Sequence, residues 1–319
     1  MAFKWIATNA LLLALAPAQE LHRIETSEPH MGTLFRVVVY AADEAAARVA
    51  IKRAFERAAD LDQKLSDYKP DSELNLLCRR AAGKAVVVSD DLLEVVAASL
   101  KIARSTNGAF DITLGPLTHQ WREARKEGRL PSSSEIAGGR ARTSYKKIRL
   151  DARGKTITLR QQGMQLDLGG IAKGYAADQM LGVLVAAGFG QSLVAASGDI
   201  RAGEAPPGRS GWTIALDGGE KLELVNQAVS TAGAAEQFIE VNGVRYSHIL
   251  DPRTGIGLTN GLTVSVVARS GLLADGWDTA LCVMGERGRG IFLKSVPAGR
   301  AIFRRTRTAS LPPTYNKIH

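Results

Sequence analysis

Cysteine is scarce in this chain. There are two among 319 residues, Cys78 and Cys282. Two cysteines do not make a disulfide scaffold, and no pair or quartet has zinc-ligand spacing, so neither kind of staple is expected to hold the fold. Both sit among leucine and valine, which reads as two buried thiols. Aromatic residues are also few, at 6%. The densest basic cluster, 300–307, contains only one, Phe303. Nucleic-acid binding needs basic residues interleaved with aromatics, so it is not expected. No apolar run beyond the N-terminus approaches the roughly 20 residues of a spanning helix. Solenoid-length repeats, a Walker loop and a dinucleotide fingerprint are all missing.

What is present starts at the N-terminus. Residues 1–18 carry one lysine, Lys4, no acid, and an apolar run dense in Leu and Ala, ending in Ala16-Pro17-Ala18. This small-x-small ending after a short apolar run predicts a secretory signal peptide cut before Gln19. The expected location is periplasmic or otherwise exported. No cysteine lies near the cut, which argues against a lipid anchor. Residues 19–319 are then expected to form a single domain. At 45% hydrophobic and 23% charged, the composition is that of a soluble globular protein. The net charge of +9 suits polyanionic partners, phosphorylated ligands among them.

Periodicity predicts a strand over 33–40, helices over 43–65 and 90–106, a polar connection over 132–142 and a hairpin from 147–150 to 156–160. It goes on to a helix over 174–187, strands over 192–196 and 212–216, a hairpin turning at Asn242-Gly243, a strand over 263–267 and a helix over 272–284. Helices and strands mix without strict βαβ alternation, so the fold class is α+β.

Four stretches carry chemistry. Gly108-Ala109-Phe110-Asp111-Ile112-Thr113 follows a helix and reads as a C-cap with a packed Phe or as a binding turn. In Asp167-Leu168-Gly169-Gly170-Ile171-Ala172-Lys173 paired glycines precede a helix, where backbone N–H groups and a lysine favour phosphate. His248 ends a strand just before the turn Asp251-Pro252-Arg253-Thr254-Gly255, available as a general base that Asp251 could orient, or else a structural histidine. Asp275, Asp278 and Thr279 are spaced three and four apart on one helix face. These hard oxygens suit Mg²⁺ rather than zinc, although acids near a helix start also serve its dipole.

In this order the stretches resemble the FAD:protein FMN transferase family, the ApbE-like flavin transferases. The resemblance begins at Met31-Gly32-Thr33, continues through Ser66-Asp67-Tyr68, Asp71-Ser72-Glu73 and Ser230-Thr231-Ala232-Gly233, and covers about residues 31–300. It implies an α+β fold of two closely packed lobes, with mixed or antiparallel sheets flanked by helices and FAD in the groove between them. Residue by residue, it implies FAD contacts at Met31, Tyr68, Ala109, Phe110, Asp111, Asp167, Lys173 and Leu250. It implies Mg²⁺ ligation by the Gly170 backbone, Asp275, Asp278 and Thr279, with His248 as catalytic base. The implied reaction moves FMN from FAD to a Ser or Thr hydroxyl of an exported acceptor protein and releases AMP. Components of membrane electron-transfer complexes would be suitable acceptors. An FAD pyrophosphatase and a non-enzymatic periplasmic flavin-binding protein are the alternatives. The chain departs from the family's habit at Cys78, where Asn is common, at Ser197, where a second Gly is common, and at Ala232 and Ala234.

Overall fold

The computed structural model describes residues 20–233 and 237–305. The expected signal peptide and Ala234 lie outside the described residues. The centre is a seven-stranded antiparallel sheet of β1 His22–His30, β2 Thr33–Ala41, β3 Ser192–Ala196, β4 Asp199–Ala202, β5 Ala228–Gly233, β6 Leu262–Ala268 and β7 Arg300–Arg305, in that spatial order. Period-two alternation gives the sheet two apolar faces. Val37, Val39, Val194, Val264 and Val266 point to one side, and Val38, Leu193, Ala195, Ile200 and Val267 to the other.

The first face is covered by α1 Glu44–Leu65, α4 Ala172–Ala186 and α5 Gly271–Met284. Helices α2 Asp90–Ser105 and α3 Gly115–Lys126 are among those that lie between α1 and α4 in the chain. The second face is covered by the hairpin Trp212–Ala215 and Lys221–Leu224 through Trp212, Ile214, Leu222 and Leu224. Helices α4 and α5 meet at their N-terminal turns. A Cβ on Gly174 would stand 2.1 Å from the Gly271 carbonyl oxygen, so only glycine permits this approach. Asp178 of α4 accepts from the backbone N–H of Gly271 at 2.7 Å and of Leu272 at 2.9 Å, capping α5 from outside.

Helix α2 and the small sheet of Val86–Val87, Thr156–Leu159 and Ile148–Asp151 pack into the same core as α1, α4 and α5. A second lobe, with its own apolar cluster of Leu117, Trp121, Leu250, Ile136, Ile239 and Tyr246, holds α3 and the hairpin Phe238–Val241 and Val244–Ser247. That hairpin turns at Asn242 and Gly243, with φ of 52° and 74°, the conformation an Asn-Gly turn favours. The fold is thus α+β with antiparallel sheets and flanking helices. One expected element changes. Residues 132–142, expected as a connection, contain the helix Ser133–Ala141, started by a capping box between Ser132 and Glu135. Its two glycines mask the helical pattern. A Cβ at Gly139 would lie 2.6 Å from Leu117 Cδ2, so any larger residue would have to displace that side chain.

Candidate active site

A cleft of about 690 Å³ opens where the N-terminal turns of α4 and α5 face the second lobe. All thirteen residues singled out from the sequence line it: His248, the eight expected FAD contacts and the four expected metal ligands.

Its floor is acidic. Carboxylate oxygens of Asp199, Asp275 and Asp278 lie within 4.8 Å of one another, and all three residues are buried. Ser230 Oγ sits between Asp199 Oδ1 and Asp278 Oδ2, in hydrogen-bond contact with both, and its single proton can serve only one of them at a time. Among the described residues, buried Asp278 Oδ1 has no hydrogen-bond partner. Burial, with the Asp275 and Asp199 charges beside it, pushes the Asp278 carboxyl well above the usual carboxylate range. Gly170 approaches Thr279 so closely that a Cβ would stand 2.9 Å from its Oγ1. Three clustered carboxylates, an adjacent hydroxyl and an orphaned buried oxygen fit a hard divalent cation.

Lys173 is the nearby positive charge. Its Nζ lies 3.3 Å from Asp199 Oδ2 and 3.8 Å from Asp275 Oδ2, and it donates to the Gly169 carbonyl at 2.9 Å. Burial works against its charge, but the three acids outweigh this and raise its pKa. In the first turn of α4 the Gly174 N–H donates to Asp275 Oδ2 at 3.0 Å. The helix terminus and the ammonium together favour phosphate at this end of the cleft.

His248 stands on the opposite wall. Its Nδ1 is 3.1 Å from the Gln237 carbonyl oxygen, and its backbone N–H donates to the same oxygen at 3.0 Å. Arg125 holds Gln237 through its side-chain oxygen at 3.0 Å. The His248 ring reaches solvent, yet protein crowds it enough to lower its pKa through desolvation, against the raising effect of the Gln237 hydrogen bond. Asp251 does not orient His248, contrary to expectation. Its oxygens accept from the Arg253 guanidinium at 2.6 and 2.9 Å.

At the third wall, Tyr68 is 72% exposed and packs on Arg122. Asp167 Oδ1 accepts from the Gly169 N–H at 2.8 Å and Oδ2 from Arg122 at 2.8 Å. Met31 lies in the two-residue turn between β1 and β2 with φ of 47°, a left-handed conformation that costs a methionine some strain. Leu250 is buried against Leu117 and Trp121. Phe110 is buried and Gly108, with φ of 79°, ends α2 by donating to the Ala103 carbonyl, so this stretch is a C-cap that also lines the cleft. The Asp111 carboxylate is engaged in shaping that turn, accepting from Thr113 N and Oγ1 and from Tyr145 N. Its pKa is raised by burial.

Of the departures, Cys78 Sγ accepts from the Leu166 N–H at 3.3 Å, and burial pushes its thiol up to about 11. Cys282 is buried, and its Sγ donates to the Ala232 carbonyl at 3.3 Å. Ser197 occupies a left-handed φ of 59° in the β3–β4 turn, where glycine is the less strained residue. The sequence reading missed Asp199, Arg122 and Gln237 as site residues. Asp199 follows a Gly, as the other site acids lie near Gly, and that was the available signal.

The family model described as the ApbE family matches residues 31–303. A relative from Vibrio cholerae named FAD:protein FMN transferase is 32% identical over 302 residues, covering 88% of each chain. One of the same name from Treponema pallidum is 32% identical over 296 residues, covering 86% of this chain and 82% of its own. Among solved structures, a histidine-to-glycine variant of the flavin transferase ApbE from Vibrio cholerae superposes with a TM-score of 0.80 at 29% identity. It matches over 90% of this chain and 95% of that one. The apo form of the Pseudomonas stutzeri flavinyl transferase ApbE gives 0.79 at 31% identity, over 90% and 92%.

Proposed function

The chain belongs to the ApbE family, and from that premise we propose that it is an exported, magnesium-dependent FAD:protein FMN transferase. One observation supports this above the others. The buried acids Asp199, Asp275 and Asp278, with the unpartnered Asp278 Oδ1, face the same cleft as His248.

FAD joins FMN to AMP through a pyrophosphate. Lys173 and the N-terminal turn of α4 attract its phosphates. Asp275, Asp278, Thr279 and the Gly170 carbonyl would hold Mg²⁺, which when bound neutralises charge on the phosphates and on the leaving group. A Ser or Thr hydroxyl of the acceptor attacks the FMN-side phosphorus, a new P–O bond forms, and the bond to the AMP oxygen breaks. The hydroxyl proton passes to His248 Nε2. Gln237 contributes by keeping the other proton on Nδ1, since a carbonyl can only accept. The products are a phosphoester-linked FMN on the acceptor and free AMP. Positioning and electrostatics supply most of the acceleration, as in other phosphoryl transfers. The acceptors would be exported proteins, such as subunits of membrane electron-transfer complexes.

The test is incubation of the protein with FAD, Mg²⁺ and candidate acceptors, read by intact-protein mass spectrometry and AMP chromatography. The expected result is an FMN adduct on the acceptor with equimolar AMP. FMN and AMP without an adduct would identify a pyrophosphatase. FAD binding without turnover would identify a carrier.

A further inference from the structure

Two residues expected to meet FAD, Tyr68 and Asp167, share a partner that the resemblance does not mention. Arg122 of α3 forms an ion pair with Asp67 through Nη1 and with Asp167 Oδ2 through Nη2, the latter at 2.8 Å. Its Cζ lies 4.2 Å from the centroid of the Tyr68 ring. One planar group therefore ties three segments together: α3, the turn bearing Asp67 and Tyr68, and the loop bearing Asp167. All four side chains line the cleft.

The contacts divide the work. Tyr68 is largely exposed, so burial does not set its orientation. The guanidinium under one ring face does, and it leaves the rest of the ring to the cleft. Asp167 has Oδ1 fixed by its own loop and Oδ2 fixed by Arg122. The Asp67 side chain is largely covered, with His119 Nε2 3.4 Å from its Oδ2, and it anchors the far end of the fork. Burial pushes the Asp67 pKa up, but His119 and Arg122 outweigh it and hold it below the usual carboxylate value. A lysine could not reproduce this, because it offers a point charge and cannot bridge two carboxylates while stacking on a ring.

We propose that Arg122 is a positioning residue for the FAD substrate, holding the Tyr68 ring and the Asp167 carboxylate in one fixed relation. It acts on FAD affinity through those two side chains and stands apart from the acids and His248 that carry the chemistry. The inference rests on the FAD reading above.

The test measures FAD binding by flavin fluorescence and steady-state transfer for wild type, Arg122→Met, Arg122→Lys, Asp167→Asn and the Arg122→Met/Asp167→Asn double variant. Arg122→Met should raise the FAD Kd and KM about tenfold or more, the worth of charged hydrogen bonds. Its kcat at saturating FAD should stay within about threefold of wild type, the signature of lost binding rather than lost chemistry. Arg122→Lys should not restore affinity. The double variant should bind more weakly than Asp167→Asn, because Tyr68 is also released, but by less than the full Arg122→Met loss, because the part of Arg122 that acts through Asp167 is already gone. Wild-type affinity in Arg122→Met, full rescue by lysine, or additive losses would each overturn the inference. If Arg122→Met does not fold, Arg122→Lys decides alone: wild-type affinity overturns the inference and a tenfold loss upholds it. Failure of the wild type to bind FAD overturns the reading itself, and the inference with it.

Discussion

His248 Nδ1 lies 3.1 Å from the backbone carbonyl oxygen of Gln237, and that contact assigns the imidazole tautomer. A carbonyl oxygen cannot donate, so the proton of the neutral ring sits on Nδ1 and the lone pair on Nε2. Arg125 fixes the Gln237 side chain, so a helix of the second lobe braces the residue that orients the His248 ring, the proposed base.

The pH–rate profile follows from this environment. Only neutral His248 accepts a proton, and desolvation lowers its pKa below the unperturbed value of about 6.5. Activity should therefore hold on acidification through pH 6.5 and fall only below it. His248→Ala should lower single-turnover transfer by roughly 10²–10⁴, while FAD affinity changes only a few fold. The readout is stopped-flow flavinylation at saturating FAD beside a fluorescence titration. Weak FAD binding with a normal saturated rate would return His248 to a structural role.

Much of this site was legible because its residues lie beside glycines and at helix starts, where spacing states what the backbone must do. The helices over 43–65 and 90–106 were equally legible from apolar periodicity, and they appear as Glu44–Leu65 and Asp90–Ser105. The strand His22–His30 was not. It is an edge strand of mostly polar residues, with Ile24 its one buried side chain. Arg122 looked like any charged residue on an amphipathic helix, and only tertiary folding brings it to Asp67 and Asp167. Closeness in sequence favoured Asp251 as the partner of His248. The actual partner is a backbone carbonyl, which leaves no mark on side-chain identity.

Ser197 holds a φ of 59°, where an L side chain is strained and glycine is not. Ser197→Gly should relieve that strain, offset in part by the greater freedom of glycine in the unfolded chain. The net gain should be about 0.5 kcal/mol. Ser197→Val should destabilise, because β-branched residues tolerate this region least. Urea unfolding of the three proteins checks the order Gly, Ser, Val; any other order would show that the turn relaxes.

Asp91 links α2 to α1 and α4. It accepts from Arg57, from Lys64 at 2.9 Å and from the Tyr175 hydroxyl at 2.8 Å. Burial alone would raise its pKa, but these partners lower it well below the usual value. A carboxylate depressed in the folded state adds stability that is fully present above its unfolded pKa of about 3.9 and is lost as pH falls below it. Asp91→Asn should cost about 1–2 kcal/mol at pH 7, because Arg57 and Lys64 lose one carboxylate but, being partly exposed, keep Asp60. The variant's stability should vary less with pH below 4 than the wild type's. Urea midpoints at pH 7 and pH 3 measure both effects, and an unchanged difference between them would sink the assignment.

Asp278 poses stability against function within one residue. It is buried beside Asp275 and Asp199, Lys173 faces the cluster as its nearby cation, and one of its own oxygens has no partner. In metal-free protein the arrangement is repulsive, and burial first, with that repulsion beside it, raises its pKa. Asp278→Asn keeps the shape and removes one charge. Without added metal the variant should melt no lower than wild type, and higher if the repulsion is not already relieved by protonation. Adding Mg²⁺ should raise the wild-type Tm through preferential binding to the folded state, by an amount that grows with metal concentration. The same addition should leave the Asp278→Asn Tm nearly unmoved, with transfer lost, because the hard-oxygen site has lost an anionic ligand. Thermal melts across a Mg²⁺ series, with chelator as zero, separate the cases. An Asp278→Asn variant that still gains stability from Mg²⁺ as wild type does would place the cation elsewhere. One that melts well below wild type in chelator would show that Asp278 is a structural acid whose partners outweigh its neighbours' charge.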